Sequence, residues 1–156
     1  MALELASAPV PSSATRKSAA EPVSLLRVVI VYDDTAAYKR ALRTLSRATD
    51  PLRDEVRPLP WRFDVLATFN GRVNAALELA KSEMFVLSAS AAGRLPVAIE
   101  HWLLSAFGGL RGTTGLLVAL LGAPGQCDTP ASSRFRLLRR AADRAGWDFL
   151  APGAAS

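Results

Sequence analysis

One cysteine and one histidine in 156 residues leave no intramolecular disulfide and no cysteine-rich zinc site. No apolar run approaches the roughly 18 residues of a membrane-spanning helix. Lysine is scarce as well: only Lys17, Lys39 and Lys81 stand beside 16 arginines. The chain has no G-x-S-x-G elbow for a serine hydrolase and no glycine-rich fingerprint that would cradle a phosphate or dinucleotide. What remains is half hydrophobic, which excludes a wholly disordered chain, and its length suits one domain.

The net charge of +5 raises the question of an anionic partner. Arg40, Arg43 and Arg47 recur along one expected helix, and Arg136, Arg139, Arg140 and Arg144 along another. Such rows are expected on solvated helix faces, and no aromatic residues interleave with them to stack bases. A nucleic-acid partner is therefore disfavoured.

Residues 1–24 are rich in Ala, Ser and Pro without a sustained apolar period and read as a disordered tail. Glu4 comes early, Pro9 and Pro11 interrupt, and Arg16 and Lys17 come too late for a secretory signal, so a cytoplasmic location is the expectation. The folded domain is expected over 25–150, with a short flexible end at 151–156. Leu26 to Tyr32 is a β-branched run of the kind buried on both faces of a parallel sheet. Asp33-Asp34-Thr35 offers helix caps, and Tyr38, Ala41, Leu42, Leu45 and Ala48 follow at helical spacing until Asp50-Pro51. Arg53 to Pro60 reads as a loop and Trp61 to Val65 as an alternating edge strand.

A second helix should bury Phe69, Val73, Ala76, Leu77 and Ala80, and Met84 to Leu87 should form a buried strand. A third helix opens at Pro96, carries Leu95, Ala98, Ile99, Trp102, Leu103 and Ala106 inward, and ends at Gly108-Gly109. Thr114 to Leu121 is the most apolar strand. Thr129-Pro130 should cap a fourth helix bearing Phe135, Leu138, Ala142 and Ala145, with Gly146 ending it and Trp147 to Leu150 as the last strand. The string βαβαβαβαβ implies an α/β, doubly wound, five-stranded parallel sheet with the order 2-1-3-4-5.

Ligands of such sheets bind beyond the carboxyl ends of the strands, so three loops matter: Asp33 to Thr35, Ser88 to Arg94, and Gly122 to Asp128. The first has two carboxylates and no glycine, and is expected to be a helix cap beside a solvent-facing acid. Asp33 and Asp34 would otherwise be weak candidates for a hard cation. The second offers Ser88, Ser90 and Gly93 for close backbone approach and Arg94 for an anion. Cys127 in the third lacks a base, because His101 falls on the solvent side of its helix with Glu100. No catalytic residue is identified.

Leu95-Pro96-Val97-Ala98-Ile99-Glu100-His101-Trp102-Leu103, within Met84 to Leu104, resembles the stretch after strand 3 of NADPH-dependent FMN reductases. In that family a proline-containing flavin loop runs into a helix with an acidic residue followed by Trp. Here His101 separates Glu100 from Trp102, the Pro-Glu-Tyr is missing, and Asp-Asp-Thr replaces the phosphate loop. The resemblance implies a flavodoxin-like fold, with FMN as the cofactor, if any, and Ser88, Ser90, Gly93 and Arg94 around it. The acids Asp33 and Asp34 after strand 1 also resemble a response-regulator receiver. The places of its phosphoacceptor aspartate, its Ser or Thr and its lysine hold Leu87-Ser88, Leu121-Gly122 and Leu150-Ala151, which implies a degenerate receiver at most. The expected function is a non-catalytic regulatory or protein-interaction module; the alternative is a divergent FMN-binding NAD(P)H-dependent oxidoreductase. A protein partner is expected, with a homo-oligomer open and no membrane.

Overall fold

A computed structural model of the chain describes residues 24–49, 54–90, 94–122 and 132–152. The expectations for the tail, for Gly93, for Cys127 and for a Thr129-Pro130 cap lie outside the described residues. The strands are β1 (Ser24–Tyr32), β2 (Asp54–Arg62), β3 (Met84–Ala89), β4 (Leu116–Leu121) and β5 (Asp148–Leu150). The helices are α1 (Thr35–Ala48), α2 (Phe63–Leu66), α3 (Phe69–Leu79), α4 (Val97–Gly108) and α5 (Ser133–Ala145). All four strand pairings are parallel and the order is β2-β1-β3-β4-β5, which is the expected 2-1-3-4-5.

The direction of the crossovers explains where the helices lie. The chain steps from β1 outward to β2 through α1, then back across the sheet through α3, α4 and α5. Right-handed crossovers place helices on opposite faces when that direction reverses. Among the described helices, α1 alone therefore covers one face, over Val28, Ile30, Met84 and Val86. The other face carries the larger core, in which Val29, Phe85, Leu87 and Leu117 meet Leu79, Ile99, Leu103, Phe107 and Leu138. Phe107 anchors it, with its ring set edge-on to Phe85 at 5.2 Å and to Trp147 at 5.3 Å between centroids.

Two expectations about elements need correction. The edge strand β2 begins at Asp54 rather than Trp61, and Phe63–Leu66 is a helical turn. Pro58 and Pro60 lie inside β2. Two residues apart, they share a parity, so both missing N–H groups fall on the open edge while the intervening residues pair with β1. There the prolines cost no ladder bonds and also block edge-to-edge pairing. The second correction concerns α3. Its buried residues are Gly71, Ala75 and Leu79, whereas Phe69, Val73 and Leu77 are exposed by 72%, 41% and 58%. A Cβ on Gly71 would meet the Val65 carbonyl oxygen, so close approach selects the small-residue face and turns the larger apolar residues outward.

Helix ends follow simple chemistry. Ser132 caps α5 by accepting the Phe135 N–H at 3.1 Å, and Gly146 closes it at φ 76°, a conformation that glycine adopts without a Cβ penalty.

Candidate functional site

The switch point lies where β1 ends at Tyr32 and β3 at Ala89, with the first turn of α1 between them. Asp34 is the N-cap of α1 in an extended conformation, and its Oδ1 accepts the Ala37 N–H at 2.8 Å. The same oxygen accepts the Ser90 hydroxyl at 3.2 Å, while Asp33 Oδ1 accepts the Ser90 N–H at 3.1 Å. The expected cap is therefore present. Asp33, however, is half-buried and tied to the β3 loop rather than facing solvent.

Ser88 is fully buried, and its hydroxyl donates to the Ala37 carbonyl at 2.8 Å, fastening the end of β3 to α1. Ser90 sits at the mouth of the crevice with both of its donors directed to the two aspartates. Arg94 stands apart: its side chain is 75% exposed and lies 3.5 Å from Glu100. Thus the structure brings Ser88 and Ser90 together with Asp33 and Asp34, and leaves Arg94 on the α4 side. Among the described residues, no group of three or more His, Cys, Asp or Glu side chains converges as a metal site would require.

Arg40 is the residue that periodicity misplaced. Instead of following Arg43 into solvent, it is half-buried and reaches across the carboxyl ends of the sheet. One guanidinium nitrogen donates to the Gly122 carbonyl at 2.8 Å; the other donates to the Leu120 carbonyl at 2.6 Å and to the Ala89 carbonyl at 3.5 Å. At 3.6 residues per turn, position 40 lies only about 60° from the buried Ala37, so Arg40 belongs to the border of the inward face. That border position was the available signal. The Ala89 carbonyl also accepts the Gly122 N–H at 2.9 Å, so at the sheet end Arg40 adds donors beside those of the ladder.

Grooves open elsewhere. One, of about 510 Å³, runs between α3 and α4 and is lined by Phe69, Val73, Ala76, Ala98, Trp102 and Ala106 among others. The second, of about 450 Å³, lies between α4 and α5 beside Arg94, Arg136 and Arg140. His101 borders both and is exposed, and neither groove is lined by Asp33, Asp34, Ser88 or Ser90.

No helix among the described residues is long and apolar enough to cross a membrane. No protein-family model and no curated protein matches the sequence. The fold does have a counterpart among solved structures. A flavodoxin from Streptococcus pneumoniae TIGR4 superposes over 81% of this chain and 81% of its own, with a TM-score of 0.52 at 11% sequence identity. Together with the parallel 2-1-3-4-5 sheet, that likeness shows the fold of this chain to be flavodoxin-like.

Proposed function

We propose that this chain is a non-catalytic regulatory or protein-interaction module built on a flavodoxin-like fold. The observation that carries the reading is that, among the described residues, the start of α1 at the switch point is engaged by the chain's own carboxylates. A phosphate at the start of α1 would need free N–H groups and a neighbourhood without negative charge. Asp34 already accepts the Ala37 N–H there, and Asp33 and Asp34 together engage Ser90. Across the same edge Arg40 is spent on the carbonyls of Leu120 and Gly122, so its guanidinium already has acceptors.

The second reading is a divergent FMN-binding NAD(P)H-dependent oxidoreductase, in line with the flavodoxin whose fold this chain resembles. It requires the phosphate to displace the Asp34 carboxylate or to bind away from α1. Ser88, Ser90, Gly93 and Arg94 would then surround the flavin, yet Ser88 is buried and bonded to α1 and Arg94 is exposed beside Glu100.

The test is the absorbance spectrum of the purified full chain, followed by titration of FMN fluorescence. The proposal expects a colourless protein and no saturable quenching. Bound flavin, or saturable micromolar quenching lost in Ser90→Ala, would make the oxidoreductase the correct reading.

A further inference from the structure

The groove between α4 and α5, of about 450 Å³, sets Arg94, Arg136 and Arg140 around one recess with a single carboxylate, that of Glu100. Glu100 is 18% exposed and lies 3.5 Å from the Arg94 guanidinium, so the acid is engaged at that end. Among the described residues, neither Arg136 nor Arg140 is ion-paired. From this we infer that the α4–α5 groove docks an extended acidic segment of a partner protein, with carboxylates at alternate positions facing Arg136 and Arg140. The inference rests on the interaction-module reading and names the surface and the chemistry of the partner.

Three observations support this occupant. The first separates the arginines of α5 by what they do. Arg139 lies over the Phe149 ring, 5.4 Å from its centroid, and Arg144 donates to the Leu104 carbonyl at 3.4 Å. Among the described residues, Arg136 and Arg140 are held by no such contact. Both are exposed, and as like charges one turn apart they repel each other. A row kept only for solvation would gain from acids set between its members. Here the one acid of the groove is beside Arg94, and carboxylates brought by a partner would relieve the repulsion.

The second observation is spacing. Positions 136 and 140 are about 6 Å apart along α5 and only about 40° apart around it. Alternate residues of an extended chain point the same way at about 6.7 Å. Two carboxylates of a Glu-x-Glu segment laid along the groove therefore meet two guanidiniums, each able to hold a carboxylate through paired N–H bonds. The seam continues in the same direction. Arg144, which bonds to the carbonyl of Leu104 in this groove, also lines the next recess with Arg111 and Asp143. A third carboxylate two residues farther on has that guanidinium to meet.

The third is the character of the wall. Leu104 and Leu137 are half-buried in the groove, and no Phe, Tyr or Trp lines it. Single-stranded nucleic acid also presents a regular row of negative charge, but its binding draws on bases stacked against aromatic rings. This groove offers guanidiniums and aliphatic carbon instead, which suits a peptide with acids on one side and small residues between them.

Titration of the isotope-labelled full chain with acetyl-Glu-Ser-Glu-Ser-Glu-amide, followed by amide NMR at about 50 mM salt to limit screening, tests this. Saturable shifts are expected at Glu100, Leu104, Arg136, Leu137 and Arg140, with a Kd of roughly 0.1–1 mM for so short a segment. Arg136→Ser combined with Arg140→Ser should weaken binding at least about fivefold, and Arg140→Glu alone should do the same. Both positions are exposed, so the spectrum away from the groove should not change. Arg43→Ser combined with Arg47→Ser removes the same charge from the exposed face of α1 and should leave the affinity as it was. Absence of saturable shifts up to about 5 mM peptide overturns the proposal. So does equal weakening by the α1 pair, or equal binding of acetyl-Glu-Glu-Glu-Ser-Ser-amide, either of which would reduce the contact to net charge. Tighter binding of a thymidine pentanucleotide also overturns it and assigns the groove to nucleic acid. Flavin binding would refute the non-catalytic reading without altering the peptide titration, so the two failures are distinguishable.

Discussion

Replacing Arg40 by methionine keeps an apolar stem over the sheet end and removes the guanidinium. Among the described residues, two short charge-assisted bonds are lost, to Gly122 at 2.8 Å and Leu120 at 2.6 Å, while the contact to Ala89 at 3.5 Å sits at the limit and is left out of the sum. A hydrogen bond to a charged group contributes about 1.5–3 kcal/mol net, and the lower end applies because Arg40 is half-buried and water can replace part of what is lost. The expected destabilisation is therefore about 3 kcal/mol. For a chain of this length it corresponds to a fall in Tm of roughly 10 °C, and the midpoint of urea unfolding should drop without a change in slope. Arg40→Lys, with a single ammonium, should recover about half of the loss, since one centre cannot span two carbonyls in a fixed fork. A midpoint for Arg40→Met within about 0.5 kcal/mol of wild type would refute the reasoning, and would reduce Arg40 to one more solvated surface arginine.

Other substitutions probe different parts of the account. Gly71→Ala gains about 1 kcal/mol of helix propensity, yet its Cβ meets the Val65 carbonyl oxygen and lies 2.8 Å from Thr68 Oγ1. The clash should prevail, with a net loss of about 2 kcal/mol or more in chemical unfolding; a stabilised variant would show that α3 sits farther from α2 than described. Gly115→Ala sets a Cβ 2.5 Å from the Trp147 ring, which also donates to Thr113 Oγ1 at 2.9 Å. It should cost about 2 kcal/mol and shift the tryptophan emission, and unchanged emission would count against that packing. Ser88→Ala removes the buried bond to the Ala37 carbonyl and should cost about 1 kcal/mol, read by thermal unfolding. A neutral or stabilising outcome would mean that β3 and α1 do not depend on this link.

How much of this is legible in the sequence depends on whether local pattern or tertiary approach decides the outcome. The central strands are legible because Val28 to Val31 and Met84 to Leu87 are buried on both faces, so a continuous apolar run suffices to identify them. The Asp34 cap follows from its position before a helical period. The edge strand β2 was obscured because Pro58 and Pro60 read locally as loop residues; only the pairing shows that their missing N–H groups face an open edge. The α3 face was reversed for a related reason. Hydrophobic periodicity selects Phe69, Val73 and Leu77, whereas the helix approaches through Gly71 and Ala75, whose smallness is a packing requirement.

The site follows the same division. Asp33, Asp34, Ser88 and Ser90 stand out in the sequence by their place at strand ends; Ser90 bonds to both aspartates, whereas Ser88 bonds to the Ala37 carbonyl. Their partners could not be read from spacing alone, since Ser88 turning inward to Ala37 and Ser90 turning to two aspartates depend on how closely α1 lies against β3. Arg40 was hidden by its neighbours in the arginine row. Its role becomes visible only once β3 and β4 end beneath it.

Central to the account is a start of α1 whose described hydrogen bonds go to the chain's own groups, and thermal unfolding of the full chain with and without about 1 mM FMN tests it most directly. A ligand that binds the folded state raises stability by RT ln(1 + [L]/Kd), so even a Kd near 10 µM would add about 2.7 kcal/mol and several degrees. The account predicts a Tm unchanged by FMN. A saturable rise of several degrees, abolished by Ser90→Ala, would contradict it and place a flavin where Asp34 now caps α1.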